Sequence, residues 1–120
     1  MTRITFYRRG GYFYGFKEEG HSGFADAGID ILCAAISSMT MLVVNMIEVS
    51  FETDVQYVID EEKAVITVTA LGALPEYAED HDKQYAASGA FKGYYNQLLD
   101  LAEEYYDNLS VEVKDDEEFV

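Results

Sequence analysis

ILCAAISSMTMLVVNMI, residues 31–47, is a mostly apolar run of helical length, and its reading decides the fold. It is short for a membrane span, is interrupted by Ser37, Ser38, Thr40 and Asn45, and lacks flanking basic residues. It therefore reads as the core helix of a soluble domain, with no membrane partner. A helix apolar on nearly every face must be covered by a sheet or a partner on most sides.

The flanking sequence supplies such a sheet. ITFYRR (residues 4–9) and YFYGFKEE (12–19) are short aromatic-rich runs separated by Gly10-Gly11, a dipeptide that offers positive φ at both turn positions and predicts a hairpin. Six of the nine glycines fall between positions 10 and 28, which predicts turns followed by a pliant loop. Asp30 then stands where an N-cap would accept hydrogen bonds from the first turn of the apolar helix. Downstream, FETDVQYVID (51–60) and KAVITVTAL (63–71) are β-branched runs joined by Glu61-Glu62, a second hairpin. Residues 71–82, with Gly72, Pro75 and many charges, read as a connector. From about Tyr85 the spacing of Ala87, Phe91, Tyr94, Leu98, Leu101 and Tyr105 is helical. LSVEV (109–113) is a final short strand. The order β-β-α-β-β-α-β predicts an α+β two-layer sandwich, with a mostly antiparallel sheet and a buried central helix. One domain spans residues 1–114, and residues 115–120 form an acidic, disordered tail.

Eight basic residues against 23 acidic ones leave a net charge of −15. That argues against direct nucleic-acid binding, which needs clustered Lys and Arg. A negative surface serves solubility, and it also speeds encounter with a basic protein. The single cysteine, Cys33, excludes an internal disulfide and fits a reducing, intracellular compartment. No cysteine–histidine spacing suggests a metal, and nothing suggests a cofactor.

The chemistry-bearing residues cluster in GHSGFADAGIDILCAAISS, residues 20–38. With Asp30 as cap, Cys33 is the third helical residue, where unpaired amides and the macrodipole stabilise a thiolate. The same thiol could equally be a small buried hydrophobe. His21, twelve residues earlier in a glycine-bounded loop, could take the thiol proton and return it to a leaving amine, or could be a solvent-exposed loop histidine. Asp30 could orient that imidazole as well as cap. Ser37 lies one turn beyond Cys33 on the same face, and the amides of Cys33 or Ala34 could serve an oxyanion. The loop residues Gly20, Ser22, Gly23, Phe24 and Gly28 would lie against substrate. His81, among carboxylates, reads as surface.

The same stretch resembles the signature of the ribosomal-processing cysteine proteases, the Prp family. The matching residues are Gly20, His21, Gly23, Gly28, Asp30, Ile31, Cys33, Ala34, Ala35 and Ser37. Ser22 departs from a usual small apolar residue and Ile29 from a common polar one, and neither change removes a reacting group. The resemblance implies a cytoplasmic, homodimeric cysteine endopeptidase that removes the N-terminal extension of large-subunit ribosomal protein twenty-seven, with Cys33 as nucleophile and His21 as its base. Its expected partner is thus a basic ribosomal protein. Two rivals are a non-catalytic acidic module that binds a basic protein, and a thiol hydrolase of small acyl substrates.

Overall fold

The structure, a computed structural model, describes residues 1–20 and 27–116, with residues 27–30 described by backbone alone. Strands β1 (Thr2–Arg9) and β2 (Tyr12–Glu19) are followed by helix α1 (Ala27–Asn45), which runs on into a π-turn, Met46–Ser50. Strands β3 (Gln56–Asp60) and β4 (Val65–Thr69), two 3₁₀ turns, helix α2 (His81–Glu104) and strand β5 (Leu109–Asp115) complete the order. The predicted β-β-α-β-β-α-β succession is the observed one. The five strands form one sheet in the order β3-β4-β2-β1-β5. Every neighbouring pair is antiparallel except β1 and β5, which are parallel.

Gly10 and Gly11 turn the first hairpin with φ of 57° and 85°, as two positive-φ positions require. A bulge between Tyr7 and Arg8 shifts the register, so Phe13 pairs with Arg8 while Gly15 pairs with Tyr7. The extra residue brings Phe13 and Phe16, three apart, onto one face. There they pack with Phe6 (ring centroids 6.1 and 5.4 Å from it), and Phe16 meets Phe91 and Tyr94 of α2 edge-on. The aliphatic layer on α1, Leu32, Ile36, Val43, Val44 and Ile47, completes the core.

α1 buries that one face and leaves the other open. Ile31 is 63% exposed, Leu42 58% and Val49 68%. Ile31–Ser50 is long and apolar enough to cross a membrane by length and composition, and 33% of its most apolar window is buried within the chain. The cover expected on most sides of this helix is thus supplied on one side only.

Three element boundaries differ from expectation for local reasons. β3 begins at Gln56 rather than near residue 51, because the π-turn carries the chain to Ser50 and Glu52 takes a left-handed φ of 50°. Its turn to β4 spans residues 61–64, where the Asp60 carboxylate accepts from the Lys63 amide (3.2 Å) and Ala64 adopts a φ of 54°. α2 starts at His81, four residues before Tyr85, because Asp80 is its N-cap and accepts from the amides of Asp82 (2.8 Å) and Lys83 (3.1 Å). Gln84, fully buried, donates to the Ala73 carbonyl (2.7 Å) and ties the connector to α2.

The tail boundary also moves. Asp115 closes β5 and holds Arg8 in a two-pronged ion pair (2.6 and 2.8 Å). The Asp116 amide donates to the Arg8 carbonyl (2.7 Å), and its carboxylate accepts from Arg9 and from the Tyr14 hydroxyl, both at 2.7 Å. These two residues, expected in a solvated tail, anchor the end of the sheet. Residues 117–120 lie outside the described residues. Burial, with help from the Asp116 bond, pushes the Tyr14 phenol up to about 12.

The Arg9 and Tyr14 hydrogen bonds hold the Asp116 carboxyl below its ordinary range. In acid the native state therefore binds fewer protons here than the unfolded chain. The resulting stabilisation is complete above the unfolded carboxylate value of about 4 and is lost as pH falls through the depressed native value. Asp116→Asn should melt below wild type at neutral pH, and the gap should close as the pH falls below the ordinary carboxylate range and through the depressed native value. A gap that stays constant over that range would show that the ion pair contributes nothing.

A second expectation concerns Gly20, the last described residue before the loop. Its φ is +78°, and a Cβ there would run into the Met1 carbonyl. Gly20→Ala should lose about 1–3 kcal/mol from backbone strain alone, and more from the clash. Calorimetric melting equal to wild type would contradict this close packing of the N-terminus.

Candidate active site

The elements that flank residues 20–38 are set by β2 and α1. β2 delivers the chain to Gly20 beside the N-terminus, and α1 begins at Ala27. His21, Ser22, Gly23 and Phe24 lie outside the described residues. Gly28, expected in the loop, is the second residue of α1.

The helix start changes two assignments. Asp30 is the fourth residue of α1 rather than its N-cap, because the helix opens three residues earlier, at Ala27. Cys33 is accordingly the seventh residue, in the second turn. The amides left without intrahelical partners lie in the first turn, so those of Cys33 and Ala34 belong to the helical ladder and are not free for an oxyanion. The macrodipole effect falls off within the first turn, so it activates the Cys33 thiol less than a first-turn position would. Any activation of this thiol would have to come mainly from a neighbouring group.

Cys33 is only partly enclosed. It is half-buried on α1, at the border between the inner face of Leu32 and Ile36 and the outer face of Ala34 and Ser37. Ser37, one turn on, is exposed on the same side. A thiol here reaches solvent on one flank and packs on the other, unlike an inert core cysteine. His81 is exposed at the start of α2. Among the described residues, no group of three His, Cys, Asp or Glu side chains is arranged to hold a metal ion.

Sequence reading missed a buried polar group beneath this helix. Glu18 is 1% exposed and stands across from Ile4 on one side and Ile66 on the other, so its carboxylate is on the core face of the sheet. Nearby, the Tyr94 hydroxyl on α2 lies 2.8 Å from the Thr40 hydroxyl and donates to the Ile36 carbonyl (3.3 Å) on α1. Burial holds the Tyr94 phenol far above its ordinary range, the Glu18 charge adds to that rise, and the Thr40 hydrogen bond opposes it. Tyr94 therefore stays a protonated donor. The sequence signal was available in FKE: alternation from Phe16 carries Glu18, two residues on, to the same face.

No curated protein matches the sequence. Solved structures do. SMU.848 from Streptococcus mutans superposes with a TM-score of 0.78 at 26% identity, over 97% of this chain and 99% of that one. The essential ribosomal processing protease Prp of S. aureus, in complex with a substrate peptide, superposes at 0.76 with 17% identity, over 95% of this chain and all of that one. The same S. aureus protease with a covalently linked product peptide gives 0.73 at 18% identity, with the same coverage. At the level of sequence, the profile of the cysteine protease Prp matches residues 1–110, which takes in β1 through the start of β5 and every candidate site residue. With the fold, the thiol and that match in agreement, the chain belongs to the Prp family of cysteine proteases.

Proposed function

We propose that this protein is a Cys-His endopeptidase of the cytoplasm, which removes the N-terminal extension of large-subunit ribosomal protein twenty-seven and so supports ribosome assembly. The observation that carries this reading is the placement of its sole cysteine, half-buried near the start of α1 within the region matched to the protease family. His21 takes the Cys33 proton, and the thiolate attacks the scissile carbonyl. The amine leaves with the proton held by His21, and water, deprotonated by the same imidazole, hydrolyses the thioester. With Cys33 beyond the first helical turn, the imidazolium supplies most of the thiolate's stabilisation. Residues 1–116, with Asp115 and Asp116 closing the sheet, act as one protease domain. The substrate is basic, which suits a surface carrying a net charge of −15.

Cleavage of a peptide spanning the extension tests the assignment. Cys33→Ala should abolish it in a normally folded protein, since one small side chain replaces another. His21→Ala should slow it by about 10²–10⁴-fold, the loss expected for a general base. Persistent cleavage by Cys33→Ala would overturn the site. Tight binding without cleavage by wild type would favour the acidic interaction module, and turnover of small thioesters or amides alone would favour the acyl hydrolase.

A homodimer belongs to the same proposal, and the outer face of α1 supports it. Ile31, Met41, Leu42 and Val49 are exposed there, and Leu42 borders an apolar cleft of about 410 Å³, also lined by Met39, Met46, Gly89 and Gly93 of the two helices. A second copy would remove this surface from water. Sedimentation should show a dimer for wild type and a monomer for Leu42→Asp. A wild-type monomer at micromolar concentration would exclude the dimer.

A further inference from the structure

The helix that carries Cys33 presents a problem of specification. Its inner face is aliphatic (Leu32, Ile36, Val43, Val44, Ile47), and its outer face, with Ile31, Met41, Leu42 and Val49, is nearly as apolar. Hydrophobic burial is non-directional, so the pattern alone does not say which face turns inward. A rotation of one residue, about 100°, would carry Cys33 from its border position into the core or out to open solvent.

Two hydroxyls break that degeneracy. Thr40 is 2% exposed, and its hydroxyl meets that of Tyr94, 4% exposed, at 2.8 Å. Tyr94 also reaches the Ile36 carbonyl, one helical turn before Thr40. Ile36 and Thr40 follow Cys33 by three and seven residues, so all three lie along one side of α1 within about two turns, roughly 10 Å of axis. In the arrangement that satisfies both contacts, Thr40 donates to Tyr94 and Tyr94 donates to the Ile36 carbonyl. The opposing effect of Thr40 on the phenol fits that direction. The Tyr94 ring is itself immobilised, edge-on to Phe6 (5.7 Å) and Phe16 (5.2 Å) of the sheet. α1 is thereby referenced to β1 and β2 through a rigid aromatic post. Any rotation of the helix would leave buried hydroxyls unpaired, a directional penalty that aliphatic contacts lack.

We propose that Tyr94 and Thr40 form a buried clamp that sets the rotation of α1 and thereby positions Cys33 for attack. Both are positioning residues, and the inference rests on the cysteine-protease reading of Cys33. Nothing in the clamp touches substrate.

Tyr94→Phe keeps the ring packing and removes the hydroxyl, Thr40→Val keeps the shape, and Thr40→Ser keeps the hydrogen bond. The first two should each lower kcat by about tenfold to a hundredfold, as small misplacements of a reacting group do, with KM changed less than about twofold. Thr40→Ser should restore wild-type turnover. The Tyr94→Phe, Thr40→Val double variant should lose no more than Tyr94→Phe alone does, because Thr40→Val removes a contact that Tyr94→Phe has already removed. Alkylation of Cys33 by iodoacetamide, which needs no substrate, should slow in parallel with kcat. Lower melting temperatures with kcat and alkylation rate both intact would reduce the pair to a purely structural role, and independent, multiplicative losses in the double variant would equally overturn the clamp. If wild type cleaves no peptide, the protease reading fails by itself and the alkylation series still decides the clamp.

Discussion

A single five-stranded sheet can cover one side of a helix, and α1 is apolar on nearly every side. Much of the structure follows from that mismatch. The sheet's core face is filled by Phe6, Phe13 and Phe16, which take up α2 through Phe91 and Tyr94 and leave room for only the Leu32–Ile36–Val43 side of α1. The remaining side of α1 stays open along the cleft it shares with Gly89 and Gly93. Cys33 sits where the covered side meets the open one, which accounts for its half-burial.

The architecture was legible because its strongest signals are local. Gly10-Gly11 can do little except turn a hairpin, the β-branched runs of β3 and β4 stand apart from the helical spacing of α2, and the apolar run of α1 exceeds any strand. The site was less legible, because helix ends and side-chain partners depend on context. Asp30 looked like a cap since it precedes the apolar run, yet Ala27, Gly28 and Ile29 already turn helically before it. Asp80 is a cap in fact, but its first turn, His81-Asp82-Lys83, is wholly polar and resembles a connector. Glu18 carried a signal only relative to Phe16, two residues before it, because the bulge breaks the alternation counted from Phe13. Thr40 and Tyr94, 54 positions apart, carry no local signal of their bond.

Charge shows a similar contrast between bulk composition and local pairing. The basic residues Arg8, Arg9, Lys17 and Lys83 each neutralise a named carboxylate: Asp115, Asp116 with Glu76, Glu19 and Glu52 respectively. Arg8 and Arg9 gather at the end of β1, where Asp115 and Asp116 close the sheet and the two guanidiniums lie over the rings of Phe13 and Tyr14. The carboxylates of an apparently solvated tail are therefore partly structural. With so few cations in all, the surplus of acid remains available to draw a basic partner at long range, an effect that ordinary salt screens beyond about 8–10 Å.

The loss of the cap assignment changes how the thiol must be activated. In the first turn, a cysteine can rely on free amides and the helix dipole, which act whether or not substrate is present. In the second turn those amides are already bonded, and a thiolate there would depend on a cation brought to it. A thiol of that kind would be reactive only beside such a cation. In a cysteine protease of the Prp family whose thiol stands half-buried in the second turn of α1, reactivity would then be set by what is brought to that turn and not by the helix end.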